Sequence, residues 1–379
     1  MAVQLRVYES VLTGSTLLAH LRPRGNDWRR SIRALGGSWQ GTLTVRGEIG
    51  DLVAMFYNWL GGHIEESAGI KTWQGLVYEI ELEHEGVRRI RTLDQMANAI
   101  DVSYQTGGEV SSAGFSTQAQ AIARYGRKEA RLSVDNMPAA TAQAYQARYL
   151  AQHAWPAPRP VAVGQAAGPV LTVRACGYAF TANWLFVQAG DGAEHDIDHW
   201  ISAVVGTAYG LSSDHGGSVS GAGDCQFLMA GNLASNTLQV AEVLDGDLRP
   251  WSLLEELAGL GDSSGDPWRV WVDLDRKLQY AALDLEPAYY LRDGKIYDTA
   301  GGRLAVDPWA MQPGIVRDLE YPIRRAEQGS AFADARDLFV EQVEVTADGA
   351  ITMSTAILDE SEILAAQASY QQQAEAVQT

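Results

Sequence analysis

Cysteine is nearly absent from this chain: Cys176 and Cys225 are the only two in 379 residues. That is too few for a disulfide framework or a cysteine-built metal cluster, and it reads as a protein assembled in a reducing cytosol. Basic residues are also scarce, 29 Lys and Arg against 47 Asp and Glu, for a formal charge of −18. Affinity for phosphate backbones rests on Lys and Arg displacing counterions, so this balance speaks against a general DNA-binding role. An acidic wall suits instead a channel through which a polyanion slides without sticking. No window approaches the roughly 18 apolar residues of a membrane span. Met1 is followed by Ala2-Val3-Gln4-Leu5-Arg6, without the basic and then apolar run of a signal peptide, so the chain is expected to be made and used in water. Phosphate-loop Gly-Lys-[Ser/Thr] is missing too, and Gly221-Ala222-Gly223 has no flanking strand and helix to make a nucleotide fingerprint of it.

What is present is an apolar fraction of 46%, enough for real cores, with 11 Trp and 15 Tyr against 7 Phe. Rings that pack while keeping a polar tip wet favour half-buried sheets and interfaces. One pattern occurs twice. Gly50-Asp51-Leu52 leads into an apolar helix and then to a strand opening at Trp73; Gly246-Asp247-Leu248 leads into another and then to a strand opening at Trp268. With no catalytic signature between the copies, the duplication points to a geometric job, a surface or ring with twice the apparent symmetry.

Along the chain, Gln40–Gly47 alternates as a strand, and Leu52, Phe56, Trp59 and Leu60 fall on one helical face that Gly61-Gly62 terminates. Leu76, Tyr78, Ile80 and Leu82 alternate with Glu79, Glu81 and Glu83, which predicts a strand with one buried face and one wet or paired face. Its partner begins at Arg88. Gln118–Ala123 and Thr141–His153 read as helices, with Ala130–Val134 as a strand between them. Pro156, Pro158 and Pro160 then stiffen the chain and mark a domain boundary. Beyond it, Val170–Tyr178, Trp184–Gln188, Trp268–Leu274 and Gln279–Leu283 are expected strands. Asp191 and Glu194 resemble a capping box for a helix carrying Ile197, Ile201, Val204 and Val205, and Gly206–Gly223 reads as a long loop. Pro250 opens a helix with Leu253, Leu257 and Leu260 on its apolar face. Val343, Val345, Ile351 and Met353 flank a hairpin turn at Asp348-Gly349, and an Ala/Gln-rich helix closes the chain. From Asp337 to Thr379 there is no Lys or Arg, so this appendage is either solvated or docked on a basic neighbour; Arg22, Arg24, Arg29, Arg30 and Arg33 offer such a surface on an adjacent subunit.

Candidate chemistry is thin. His195-Asp196-Ile197-Asp198-His199 has the spacing of two zinc ligands on a helix, but both imidazoles project opposite the apolar face and no third ligand follows. Ser212, Asp214, His215 and Ser220 put hydroxyls, a carboxylate and an imidazole in one loop, where adjacency in sequence is not catalytic geometry. Pairs such as Glu65-Glu66 and Glu255-Glu256 arise by chance among so many acids. The expectation is no enzyme, no cofactor and no metal, with His195 and His199 as the only metal candidates.

Several stretches together resemble the tail hub, or baseplate hub, proteins of tailed bacterial viruses: Thr72–Leu82 followed by Arg91–Tyr104, Ala123–Glu129 with its Ala-rich helix, Trp251–Asp262 leading into Trp268, and Asp307–Gly314. The resemblance implies an α+β, mainly β chain with two tail-tube-like antiparallel β-barrel or sandwich domains, at 1–110 and 161–330. A helical connector at 111–160 would join them, and a hairpin and acidic helix at 331–379 would follow. It further implies a homotrimer in the virion, at the distal end of the tail tube, where six barrels continue a sixfold tube and offer threefold symmetry to a spike. Implied partners are the tail-tube or distal tail protein, the tape-measure protein, and tip, spike or fibre proteins, with DNA passing through unbound. A receptor- or carbohydrate-binding tail protein, with Trp184 or Trp309 exposed in a groove, and a tail hydrolase using His195, His199 or His215 are the alternatives.

Overall fold

The computed structural model describes residues 3–11, 16–106, 108–135, 137–162, 168–187, 193–205, 227–241, 248–284, 286–292, 295–298, 311–318 and 336–356. Strands β1 (Gln4–Tyr8), β2 (Leu17–Leu21), β3 (Trp28–Arg33) and β4 (Gly36–Arg46) lead to helix α1 (Ile49–Asn58), followed by β5 (His63–Ser67), β6 (Lys71–His84) and β7 (Val87–Thr92). Then come β8 (Ala99–Thr106), β9 (Glu109–Ser112), β10 (Ser116–Thr117), α2 (Ala119–Tyr125), β11 (Glu129–Val134) and α3 (Ala139–His153). The next stretch holds β12 (Arg159–Ala162), β13 (Val170–Cys176), α4 (Ala179–Ala182), β14 (His195–Asp196), α5 (Ile197–Val205), β15 (Met229–Leu233) and β16 (Gln239–Val240). It is followed by α6 (Pro250–Gly259), β17 (Trp268–Val272) and β18 (Lys277–Ala282), and last by β19 (Tyr289–Arg292), β20 (Lys295–Asp298), β21 (Gly314–Asp318), β22 (Arg336–Thr346) and β23 (Ile351–Ala356). The fold is mixed α+β with strand predominating, as the sequence predicts.

The main sheet runs β2–β1–β5–β6–β13–β4–β3–β22–β23. Side branches leave it: β7 and β12 from the far half of β6, β17, β18 and β15 from the start of β4, and β21, β19 and β20 from the start of β22. Among the described residues β2 and β23, at the two ends of this path, have no second partner, and no closed barrel forms. The expected pair of closed barrels is therefore not what the described residues build. A single strand links segments that are far apart in sequence, since β13 lies between β4 and β6 and pairs antiparallel with both.

Local chemistry explains the elements that position the surfaces. Leu52 and Phe56 bury one face of α1, with Trp59 and Leu60 continuing it. Gly61, at φ +77°, turns the chain away where a Cβ would strike the Tyr125 ring at 2.6 Å. The carbonyls left open at the end of α1 are taken by cations: Arg91 Nη1 donates to Phe56 O (3.0 Å) and Tyr57 O (2.9 Å), and Arg124 Nη2 donates to Asn58 O (3.1 Å). Positive charge at the negative pole of a helix is favourable. On β6, Ile80 and Leu82 are buried while Glu79, Glu81 and Glu83 lie half-buried on the other side, Glu79 paired with Arg174 and Glu81 with Arg88 at 3.4 Å. The predicted alternation stops at Tyr78, because the ladder to β13 skips a residue there and both Leu76 and Val77 are buried.

Among the described residues three apolar cores result. The main one collects Leu5, Phe56, Trp73, Val173, Trp200, Trp251 and Tyr280, from both sides of the proline segment. A second lies where α2 and α3 pack on the small sheet of β8–β11, around Ile100, Val102 and Leu150. Residues on both sides of position 110 share that small sheet. A third, with Met311, Val316, Val340, Val343 and Val345, sits within β19–β23. Pro160 falls in β12, which among the described residues pairs with β7 alone, and an edge is where a missing N–H is tolerated.

Several expectations are corrected. Trp184–Val187 is not a strand: its backbone makes single bonds to separate places, Trp184 O accepting from Glu129 N, Phe186 N donating to the Glu129 carboxylate and Val187 N to Leu248 O, instead of one ladder. Helix α5 starts at Ile197, so Glu194 is too far upstream for a capping box, and Asp191 lies outside the described residues. The two Gly-Asp-Leu units are not equivalent. Gly50-Asp51-Leu52 lies inside α1 and β5 intervenes before Trp73, whereas Leu248 precedes α6 and an Asp262-centred turn delivers the chain directly to Trp268. The hairpin β22–β23 forms as predicted, with Gly349 at φ +85°, but it docks on β3 of its own chain: Val345 faces Arg30, Thr346 faces Arg29 and Gln342 faces Arg33. The Gly206–Gly223 loop and the closing helix lie outside the described residues.

Candidate functional site

The metal-like pair comes first. His195 stands on β14, held by pairing with Val240, and His199 on α5, so the two are not i and i+4 on one helix as the spacing suggests. Their rings nonetheless stack, centroids 4.0 Å apart and 21° from parallel, and both meet the edge of the buried Trp200. Neighbouring carboxylates are engaged elsewhere, Asp196 with Gln239 and Asp198 with Ser235 Oγ at 2.8 Å. Among the described residues no group of three or more His, Cys, Asp or Glu is placed to hold a metal ion. Ser212, Asp214, His215 and Ser220 lie outside the described residues.

The adjacent acids Glu65 and Glu66, read from sequence as chance neighbours, point to opposite sides of β5 and do different things. Glu66 is fully buried and gathers Trp28 Nε1, Arg30 Nε (3.2 Å) and Thr72 Oγ1 (2.6 Å). Burial pulls the Arg30 guanidinium below its ordinary range, opposed by the Glu66 charge. Glu65 accepts from His63 Nε2 at 3.0 Å, and its carboxyl is held down to about 2, chiefly by that hydrogen bond against the opposing effect of burial. His63 Nδ1 meets the Tyr178 hydroxyl, whose acidity burial suppresses. This carboxylate–imidazole–phenol chain resembles a proton relay in its parts, yet its His and Tyr are buried in the main core. It ties β5 to the turn after β13.

The chain is expected to lack a Gly-x-Ser-x-Gly elbow, yet Gly261-Asp262-Ser263-Ser264-Gly265 fits that pattern of a serine nucleophile in sequence. It forms a turn from α6 into β17, not from a strand into a helix, and Asp262 spends both oxygens within it, on Ser264 N, Asp266 N and Trp268 Nε1. No elbow is built.

What remains is surface. A cleft of about 150 Å³ is lined by Arg29, Arg30, Ser31, Gln40, Thr42 and Glu344, where the hairpin meets the arginine strand. Leu17, Leu18, Val53, Tyr57, Ile70 and Val110 are exposed apolar side chains. One solved structure, described as the tail protein from Neisseria meningitidis MC58, aligns over 93% of this chain and 95% of that chain, at a TM-score of 0.42 and 9% sequence identity. No protein-family model matches the chain. No curated protein matches it either.

Of the two aromatic residues expected in a sugar-binding groove, Trp184 is buried, its ring under Lys128 Nζ and edge-on to Phe227, and Trp309 lies outside the described residues. Among the described helices none is long and apolar enough to cross a membrane.

Proposed function

We propose that this chain is a structural protein of a bacterial-virus tail, acting as a hub at the distal end of the tail tube. In this reading it forms a homotrimer that joins tube and tape-measure protein to the tip or spike and lines part of the channel for genome ejection. It has no catalytic role. The observation that carries the reading is the strand path whose ends, β2 and β23, are each paired on one side only among the described residues. Sheets left open in this way are completed by neighbours or blunted against them, which is how subunits of a ring or tube are joined. The charge of −18 supports it, since an acidic lumen repels passing DNA instead of retaining it. Burial of Trp184 disfavours the sugar-binding alternative, and the engaged Asp196 and Asp198 beside the His pair disfavour the hydrolase. Native mass spectrometry with negative-stain imaging of the purified chain tests the reading. The expected result is a ring of three copies; a monomer at tens of micromolar that joins no other tail component would overturn it.

A further inference from the structure

We infer that the outer face of α1 on one copy packs across the free edge of β2 on a second copy. This rests on the proposed structural role and names the surfaces that would fulfil it.

Helix α1 is apolar on both sides. Leu52 and Phe56 go into the core, but Gly50, Val53, Ala54 and Tyr57, spaced as one helical stripe, all face outward, with Val53 at 36% and Tyr57 at 55% exposure. A surface helix ordinarily turns its polar side to water, so an outer stripe of this kind marks a contact. Its rim is acidic: Glu48 and Asp51 are exposed, and among the described residues neither has an ion-pair partner.

Strand β2 is the complementary surface. Among the described residues it pairs only with β1. The ladder to β1 skips Leu18, where β2 bulges, and both Leu17 (51%) and Leu18 (36%) are exposed at that end of the strand. Its sequence, Leu17-Leu18-Ala19-His20-Leu21, has none of the lysines or prolines that blunt an edge. A helix laid across the edge would cover these side chains. Its rim is basic: His20, Arg22 and Arg24 are exposed, and neither arginine has an ion-pair partner among the described residues. An apolar stripe with an acidic rim and an apolar edge with a basic rim match in kind and in sign. The two surfaces differ, so the contact is head-to-tail, the type that generates rings.

The test uses the full chain and charge reversal at exposed positions. Asp51→Arg and Arg22→Glu are expected each to weaken self-association by about tenfold or more, read as the concentration dependence of particle mass, because each sets like charges against each other across the contact. Combining both substitutions in one chain restores association, because at every contact of the ring the guanidinium introduced on α1 of one copy meets the carboxylate introduced beside β2 of the next. That rescue separates lost contact from lost folding, which circular dichroism checks independently. Tyr57→Ser and Leu17→Ser serve as uncharged controls and should weaken association as well. A wild-type oligomer that all four substitutions leave unchanged, or single variants whose loss the double variant does not reverse, would overturn this interface and leave the structural role standing. A monomeric wild type would overturn both.

Discussion

Glu66 shows how one carboxylate can hold strands from different parts of the chain. It lies on β5, and its oxygens accept from Trp28 and Arg30 on β3 and from Thr72 on β6. Its own exposure is 0%. Removing it takes a buried carboxylate from a buried guanidinium, so Glu66→Ala should lower stability by about 3–5 kcal/mol, measured by urea unfolding; a loss under about 1 kcal/mol would mean that Arg30 is held without it. Its neighbour Glu65 predicts a pH dependence. Its folded carboxyl sits at about 2 against an ordinary 4.5, so the folded state binds its proton less readily than the unfolded state does. The stabilisation is therefore complete above about pH 4.5 and is lost as pH falls through about 2. In Glu65→Gln, urea midpoints between those two pH values should fall less steeply than in the wild type.

Among the elements, the hairpin β22–β23 is the most separable, because its buried valines belong to the third core and its link to the main sheet is the ladder onto β3. Val343 is fully buried there. Val343→Asp should detach the hairpin, and hydrogen exchange should then show amides of 29–33 losing protection while those of 171–175 keep it. The hairpin itself was legible, since Asp348-Gly349 between alternating valines has a local cause. So were α1, from the spacing of Leu52 and Phe56, the start of α6, from Pro250, and the acid-lined face of β6. What sequence could not convey was partnership. Alternation says which face of a strand is apolar, not which edge meets which, so the sequence leaves the acidic appendage either solvated or docked on a basic neighbour and does not convey that the hairpin pairs with the strand of the chain's own Arg29, Arg30 and Arg33. His195 illustrates the same limit at the candidate site: its spacing to His199 matches a helix, but pairing with Val240 pulls it onto β14. Trp184 reads like a strand residue and is instead fixed by tertiary bonds around Glu129.

At the scale of the whole molecule, the main core draws on residues from Val3 to Tyr280, and its middle is β13, held on both edges. Cys176 at the end of that strand reports on it. Burial pushes its thiol up, and no reagent reaches it in the closed sheet. In a Cys225→Ser background, alkylation of Cys176 should proceed at the rate of global unfolding measured by denaturant jump; faster labelling in native buffer would show that the centre of the sheet opens on its own.

The slot filled by β13 also has a consequence for synthesis. Strands β4 and β6 leave the ribosome well before residues 170–176, and at ordinary elongation speed the intervening segment takes on the order of ten seconds to be made. Throughout that interval the nascent chain carries two facing, unsatisfied backbone edges with nothing of its own to put between them. A neighbouring nascent chain on the same polysome presents the same pair of edges, so until residues 170–176 emerge this gap is a place where two chains can pair with each other.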